Sequence, residues 1–298
     1  MNIKIENINN TNLVYIDDYG SFLNEYYQYI IRCFSKALSQ LSNKGNLLIG
    51  NFNKSSINDF KIDTNTEHTL VKQGGRDSHG FPIGKIPYDD KFYLCRIQNL
   101  QYFETLDYII DYSKPNIKNI ETSGHFDYLI KRLIYISPII FDINQFILKE
   151  KDITFISMFI DDTQTRRRVF LDKIKDKNIN LSNIQSYRRE DLKELYSKVK
   201  VLINIHQTDH HDTFEELRVL GALVNGVIVI SEDVPLKEEI PYSDYIIWCN
   251  YDNIFDVMKD VEDNYQLYWN KIFGNDNLYR LLLKMEDDNI NNIKNRLC

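Results

Sequence analysis

Between residues 152 and 265 the sequence alternates short apolar runs with amphipathic segments, and this alternation limits the fold more than any other feature. Strands are expected at 152–156, 179–186, 201–205, 227–231 and 245–248. Helices are expected at 163–176, 189–199, 213–224 and 254–265. Strands covered on both faces read as continuous apolar runs, and the intervening helices supply the cover. Repetition of the unit implies βαβ connections and a parallel sheet. Ligands of such sheets bind in loops beyond the carboxyl ends of the strands, here 157–168, 206–212 and 231–235.

The first half is patterned less regularly. An apolar run at 12–16 ends in the turn-like Asp17-Asp18-Tyr19-Gly20. Ser21 opens an amphipathic helix in which Phe22, Tyr26, Ile30, Phe34, Leu38 and Leu41 recur at spacings of three and four. Further strands are expected at 47–49, 91–97, 107–111 and 132–136, with a short helix at 115–121. Periodicity fails from 51 to 85, around the loop-like Gly74-Gly75-Arg76-Asp77-Ser78-His79-Gly80. Long loops of that kind are functional or disordered. The chain has 298 residues, enough for two domains, which we place at 1–140 and 141–298.

A formal net charge of −7 argues against a general nucleic-acid binder, which needs a basic face to neutralise phosphates. Cys33, Cys95, Cys249 and Cys298 lie far apart with no Cys-x-x-Cys spacing, so reduced thiols in a cytoplasm are expected. The N-terminus lacks the apolar core of a signal peptide, and no run approaches the ~20 apolar residues of a membrane span. A soluble cytoplasmic protein is therefore expected.

Three segments resemble a group of small GT-B-fold glycosyltransferases of bacteria and large DNA viruses. The first is Ile110-Asp111-Tyr112-Ser113-Lys114-Pro115-Asn116-Ile117. The second is Asp152-Ile153-Thr154-Phe155-Ile156 followed by Arg166-Arg167-Arg168. The third, and most specific, runs from Val201-Leu202-Ile203-Asn204-Ile205-His206 through Phe214-Glu215-Glu216-Leu217-Arg218-Val219 to Val229-Ile230-Ser231-Glu232. The chain departs from the group at Ser157-Met158-Phe159, where a glycine is common. The resemblance implies two Rossmann-like domains facing a cleft, the N-terminal one irregular and holding the acceptor. The C-terminal one would bind a UDP- or GDP-linked sugar, with no cofactor beyond that donor. Ser113 and Asn116 would then line the interdomain cleft.

A nucleotide-sugar site must hold a diphosphate and stabilise it as it leaves. Helix N-termini and arginine forks supply the donors for that charge. Arg166 and Arg167 fit this need, although a solvated basic turn paired with Asp161, Asp162 or Asp172 would look the same. His206 ends its strand before the polar loop Gln207-Thr208-Asp209-His210-His211-Asp212, which reads as a phosphate or sugar contact rather than a metal centre. The resemblance gives Glu215 the ribose hydroxyls, with Arg218 holding it or touching phosphate. The bland alternative is a capping box, Asp212-x-x-Glu215 or Thr213-x-x-Glu216, with Glu215 paired to Arg218. Ser231 and Glu232 would line the same cleft.

No motif marks the catalytic base. His79, in the glycine-rich loop, and Asp17 are the candidates we carry forward, with Asp18 and His125 behind them. Ile160-Asp161-Asp162 and Tyr88-Asp89-Asp90 lack Asp-x-Asp spacing, so metal-independent transfer to a glycan or protein acceptor is the expectation. An inactive GT-B-like binding or scaffold protein is the alternative, and a DNA-modifying transferase ranks below both.

Overall fold

The structure is a computed structural model that describes residues 2–20, 23–41, 45–54, 56–73, 85–88, 91–96, 100–124, 126–160, 165–186, 188–206 and 213–298. In the first half the elements are β1 (Ile3–Ile8), β2 (Thr11–Ile16), α1 (Asn24–Leu38), β3 (Asn46–Ile49), β4 (Asp59–Asn65), β5 (Leu70–Gln73), β6 (Lys85–Tyr88) and β7 (Lys91–Arg96). They continue with α2 (Leu100–Phe103), β8 (Tyr108–Asp111), α3 (Lys114–Ser123), α4 (Asp127–Ile130) and β9 (Leu133–Tyr135). The second half contains β10 (Ile153–Met158), α5 (Thr165–Asp176), β11 (Leu181–Ile184), α6 (Arg189–Lys198), β12 (Val199–Asn204) and α7 (Glu216–Val224). It closes with β13 (Ile228–Glu232), β14 (Ile247–Cys249), α8 (Ile254–Asp263), α9 (Tyr265–Phe273) and α10 (Asn277–Leu297).

Two compact units result. The first comprises Met1–Val71, Cys95–Ile140 and Lys284–Cys298, and the second Lys72–Leu94 and Phe141–Leu283. The sequence reading groups 1–140 and 141–298, whereas the second unit also takes Lys72–Leu94 and the first also takes Lys284–Cys298. Asn289 of α10 is the physical reason for the last of these. It is fully buried, accepts the Ser137 N–H at 2.9 Å, and donates to the Tyr29 hydroxyl at 2.9 Å and to the Ser137 carbonyl at 3.0 Å. These bonds fasten the end of α10 to the first unit.

The first unit carries a six-stranded sheet in the order β1-β2-β3-β4-β8-β9. β1 is antiparallel to β2, and the pairs from β2 to β9 are parallel. Leu13, Leu47, Ile49, Ile62, Ile109 and Ile110 fill its core, and α1 buries Tyr26, Ile30, Phe34, Ala37 and Leu38. β4 lies inside the stretch where hydrophobic periodicity fails. Four of its five buried positions, Asp59, Asp63, Thr64 and Asn65, are polar, so an apolar count passes over it. β5, β7 and β6 form a separate three-stranded sheet.

Asp111, the last residue of β8, is fully buried. Its carboxylate accepts from Asn65 Nδ2 at 2.8 Å, the Ser113 N–H at 2.9 Å and Asn116 Nδ2 at 3.0 Å. Asn116 also accepts the Thr69 N–H at 2.9 Å and donates to the Glu67 carbonyl at 3.1 Å. Ser113 and Asn116 thus work within the first unit, tying the 65–69 loop to the start of α3.

The second unit is a five-stranded parallel sheet in the order β11-β10-β12-β13-β14. Val201, Leu202, Ile203, Val227, Ile228, Val229 and Ile230 are all fully buried, as expected of strands covered on both faces. α7 starts at Glu216, three residues later than the capping pattern implies. Phe214 packs its ring 5.0 Å from that of Trp248 and 6.3 Å from Tyr242, holding 213–215 out of the helix. Glu215 becomes the N-cap residue, with no side-chain capping bond.

Burial raises the Asp111 pKa to about 7, against the lowering effect of its three donors and His68. The unfolded carboxyl titrates near ~3.9. The folded chain therefore keeps a proton that the unfolded chain has lost, and this stabilisation disappears as pH rises from about 4 through about 7. Asp111→Asn removes that titration. Chemical denaturation across this window should show a flatter stability profile for the variant, and an unaltered slope would refute the assignment.

Candidate functional site

Unit two reverses its strand order between β10 and β12, the first and third strands of a 2-1-3-4-5 doubly wound sheet. In such sheets the crevice opens at the carboxyl ends of the strands flanking the reversal. β10 leads into α5 there, and β12 leads into α7.

Glu232 closes β13 and is buried. Its carboxylate receives a two-point bond from Arg166, Nη1 to Oε2 at 2.6 Å and Nη2 to Oε1 at 2.5 Å. The His206 N–H donates to Oε2 at 2.7 Å, and His206 Nδ1 stands 3.9 Å from Oε1. The Arg166 guanidinium lies 3.9 Å from the ring centre of Tyr251, whose hydroxyl donates to the Arg166 carbonyl at 3.1 Å. One carboxylate thus joins the ends of β12 and β13 to the start of α5.

A second cluster adjoins it. Asn204, at the end of β12, donates to Ser231 Oγ at 2.9 Å and accepts from Arg218 Nη1 at 3.3 Å. Ser231 Oγ donates to the Glu232 carbonyl at 3.0 Å. Arg218 is buried, and among the described residues its Nε has no partner. Next to this cluster Cys249 bonds the Ser231 carbonyl, and burial, then Glu232 and Asp233, push its thiol up to about 12. A thiol in that state is inert.

The loop after β10 departs from glycine at a position where the backbone favours it. Phe159 has φ 53°, the left-handed region that costs a side-chain-bearing residue roughly 1–2 kcal/mol. Its carbonyl accepts from Nη1 of the buried Arg167 at 3.2 Å. Asn183 accepts the Ile160 N–H at 3.1 Å and bonds the Ile160 carbonyl, which fixes the same turn.

Arg166, His206 and Glu232 therefore form one bonded cluster, with Ser231 and Arg218 joined through Asn204. Arg167 sits in the first turn of α5 and half-buried Glu215 at the start of α7. Sequence reading treats Arg166 and Glu232 as separate ligand contacts, whereas the structure makes them partners. It also passes over Tyr251, and reads Glu216 as a capping-box residue, whereas Glu216 is buried and accepts the Tyr242 hydroxyl at 2.9 Å. Asn204 stands in the Leu202-Ile203-Asn204-Ile205-His206 run and is legible only as part of that pattern.

The remaining candidates lie elsewhere. Asp17 belongs to the first unit, in an exposed pair with Lys4 at 2.7 Å, and Asp18 caps its own turn by accepting the Gly20 N–H at 2.7 Å. His79, His125, Asp89, Asp90, Asp161, Asp162 and residues 207–212 lie outside the described residues. Among the described residues no group of three His, Cys, Asp or Glu side chains could hold a metal. No described helix is long and apolar enough to cross a membrane.

No protein-family model matches the chain. Two proteins of Acanthamoeba polyphaga mimivirus, both named as uncharacterized, are similar to it. One is 28% identical over 171 residues, covering 55% of this chain and 56% of the relative. The other is 29% identical over 153 residues, covering 50% and 48%. The chain spans about half the length of these relatives. Two crystal structures of TarM also align. That of an S. aureus TarM mutant in complex with Fondaparinux, alpha-GlcNAc-glycerol and UDP gives a TM-score of 0.45 at 11% identity, over 85% of this chain and 52% of that one. Another of TarM gives 0.43 at 12% identity, over 90% and 55%. Likenesses of that strength carry nothing about activity.

Removing one partner of a buried ion pair strands the other charge and costs about 3–5 kcal/mol. Glu232→Gln should destabilise the protein on that scale in urea unfolding. The double variant Arg166→Met, Glu232→Met should regain most of the loss. A change below about 1 kcal/mol in the single variant would show that the pair does not hold the site together.

Proposed function

We propose that this protein is a GT-B-type glycosyltransferase that moves a sugar from a UDP- or GDP-linked donor to a glycan or protein acceptor. One observation carries the reading: the strand-order reversal at β10 and β12 coincides with the bonded cluster of Arg166, His206 and Glu232, and Arg167 and Glu215 stand at the starts of the helices that follow those two strands. The resemblance of these same segments to GT-B glycosyltransferases adds the chemical class.

During transfer the bond from the anomeric carbon to the diphosphate oxygen breaks, a bond to the acceptor oxygen forms, and the acceptor's hydroxyl proton leaves with the departing diphosphate. The departing diphosphate gathers negative charge. The N-terminal ends of α5 and α7 direct backbone N–H groups and positive dipoles toward that charge. Arg167, in the first turn of α5, adds a fixed cation without a metal. Arg166 is neutralised by Glu232, so its task is to position the start of α5 and the end of β12. Glu215, half-buried at the start of α7, would set a carboxylate against the paired hydroxyls of a ribose. The first unit would take the acceptor, and a cytoplasmic location follows from the sequence reading.

Calorimetric titration of UDP, GDP and their sugars tests the proposal. One nucleotide series should bind, and Glu215→Ala should weaken it at least tenfold, about 1.4 kcal/mol. Failure of every nucleotide to bind at millimolar concentration would overturn it.

A further inference from the structure

A cavity of about 280 Å³ opens in the first unit at the carboxyl ends of β3 and β4, the ligand-binding end of a parallel sheet. Asp63 stands in its wall with Tyr27, Asn51, Thr66, Tyr102 and Phe103. Asp63 is 9% exposed, and its carboxylate accepts from the Tyr27 hydroxyl at 3.1 Å, the Tyr102 hydroxyl at 2.6 Å and the Thr64 N–H at 2.8 Å. Among the described residues no lysine or arginine pairs with it. Lys61 lies over the Tyr102 ring, 4.7 Å from its centre.

A buried carboxylate without a cation is costly, and neutral donors must offset that cost. Asp63 and its neighbours are also the polar residues that interrupt the apolar pattern of β4. Departures of that kind concentrate at functional sites. A carboxylate kept only for structure is sealed by its donors, whereas Asp63 lines open space. It offers about four acceptor positions, and Tyr27, Tyr102 and Thr64 occupy three.

We propose that this cavity binds an uncharged, hydroxyl-rich ring such as a single monosaccharide unit, with Asp63 accepting one of its hydroxyls. The unpaired negative charge repels phosphates and carboxylates. A single carboxylate already bonded by two phenols makes a poor cation site. Asn51 and Thr66 donate and accept equally, as a polyol requires. Tyr27, Tyr102 and Phe103 offer ring surface to the apolar face of a sugar. The wall is built in advance, since Tyr27 stacks on Tyr19 with ring centres 3.9 Å apart and the Tyr19 hydroxyl donates to the Ile49 carbonyl at 2.9 Å. Burial and the Asp63 carboxylate raise both phenols above the ordinary tyrosine range, so they remain donors at physiological pH. The volume lies just below the ~300–1,000 Å³ typical of ligand pockets, right for one ring and small for a nucleotide.

This inference rests on the reading that the first unit takes a glycan acceptor, and its test is separate from that of nucleotide binding. Saturation-transfer NMR with a panel of methyl glycosides, N-acetylglucosamine, glucose 6-phosphate and magnesium chloride tests it on the full chain. At least one neutral sugar should bind at millimolar concentration and glucose 6-phosphate about tenfold more weakly. Asp63→Asn and exposed Asn51→Ala should each weaken sugar binding about tenfold while leaving UDP and GDP binding unchanged. Glu215→Ala should do the reverse. If near-UV circular dichroism shows that Asp63→Asn disturbs the fold, Asn51→Ala decides the outcome. Absence of binding by every neutral sugar, unchanged affinity in Asn51→Ala, or displacement of the sugar by magnesium would overturn the proposal.

Discussion

One buried carboxylate organises the functional end of the second unit. Glu232 accepts both arms of Arg166 and the backbone of His206, so it couples two strand ends to a helix start. Each bond alone is ordinary. Together they fix the ends of β12 and β13 against the start of α5 at the strand-order reversal. The pair is nearly dry, with Arg166 and Glu232 side chains 14% and 5% exposed, so solvent does little to screen it. The price is that neither group can be removed singly without stranding a charge.

The second unit was legible in the sequence because its strands are covered on both faces. Continuous runs such as Val-Leu-Ile-Asn-Ile and Val-Ile-Val-Ile have few other uses in a chain with so regular a spacing. The first unit hid two of its strands for opposite reasons. β1 is an edge strand that leaves Ile3 60% and Ile5 67% exposed, so apolar residues there signal no core. β4 is central, yet it buries Asp59, Asp63, Thr64 and Asn65. Polar residues buried with partners defeat any reading that equates inside with apolar. The sequence reading also stopped at residue 265 and missed α9 and α10. In α10 the buried stripe Leu282, Met285, Asn289, Ile293 contains an asparagine whose partners are more than 150 residues away.

The candidate site divides in the same way. Residues at strand ends and helix starts, such as His206, Glu215 and Arg167, follow from the βαβ pattern together with the family resemblance. Pairings do not. Arg166 and Glu232 are 66 residues apart, and nothing local announces that each is the other's partner. Phe159 shows the converse case, where a local departure was visible in the sequence. The missing glycine is matched by a left-handed backbone at that residue, a strain held by the Arg167 and Asn183 bonds around it.

The most direct test is a crystal of the full chain soaked with a nucleoside diphosphate. The diphosphate should lie within hydrogen-bond distance of the first turn of α7 and of Arg167, with the ribose hydroxyls on Glu215. A nucleotide ordered anywhere else on the protein, with that crevice open and vacant, would contradict the assignment.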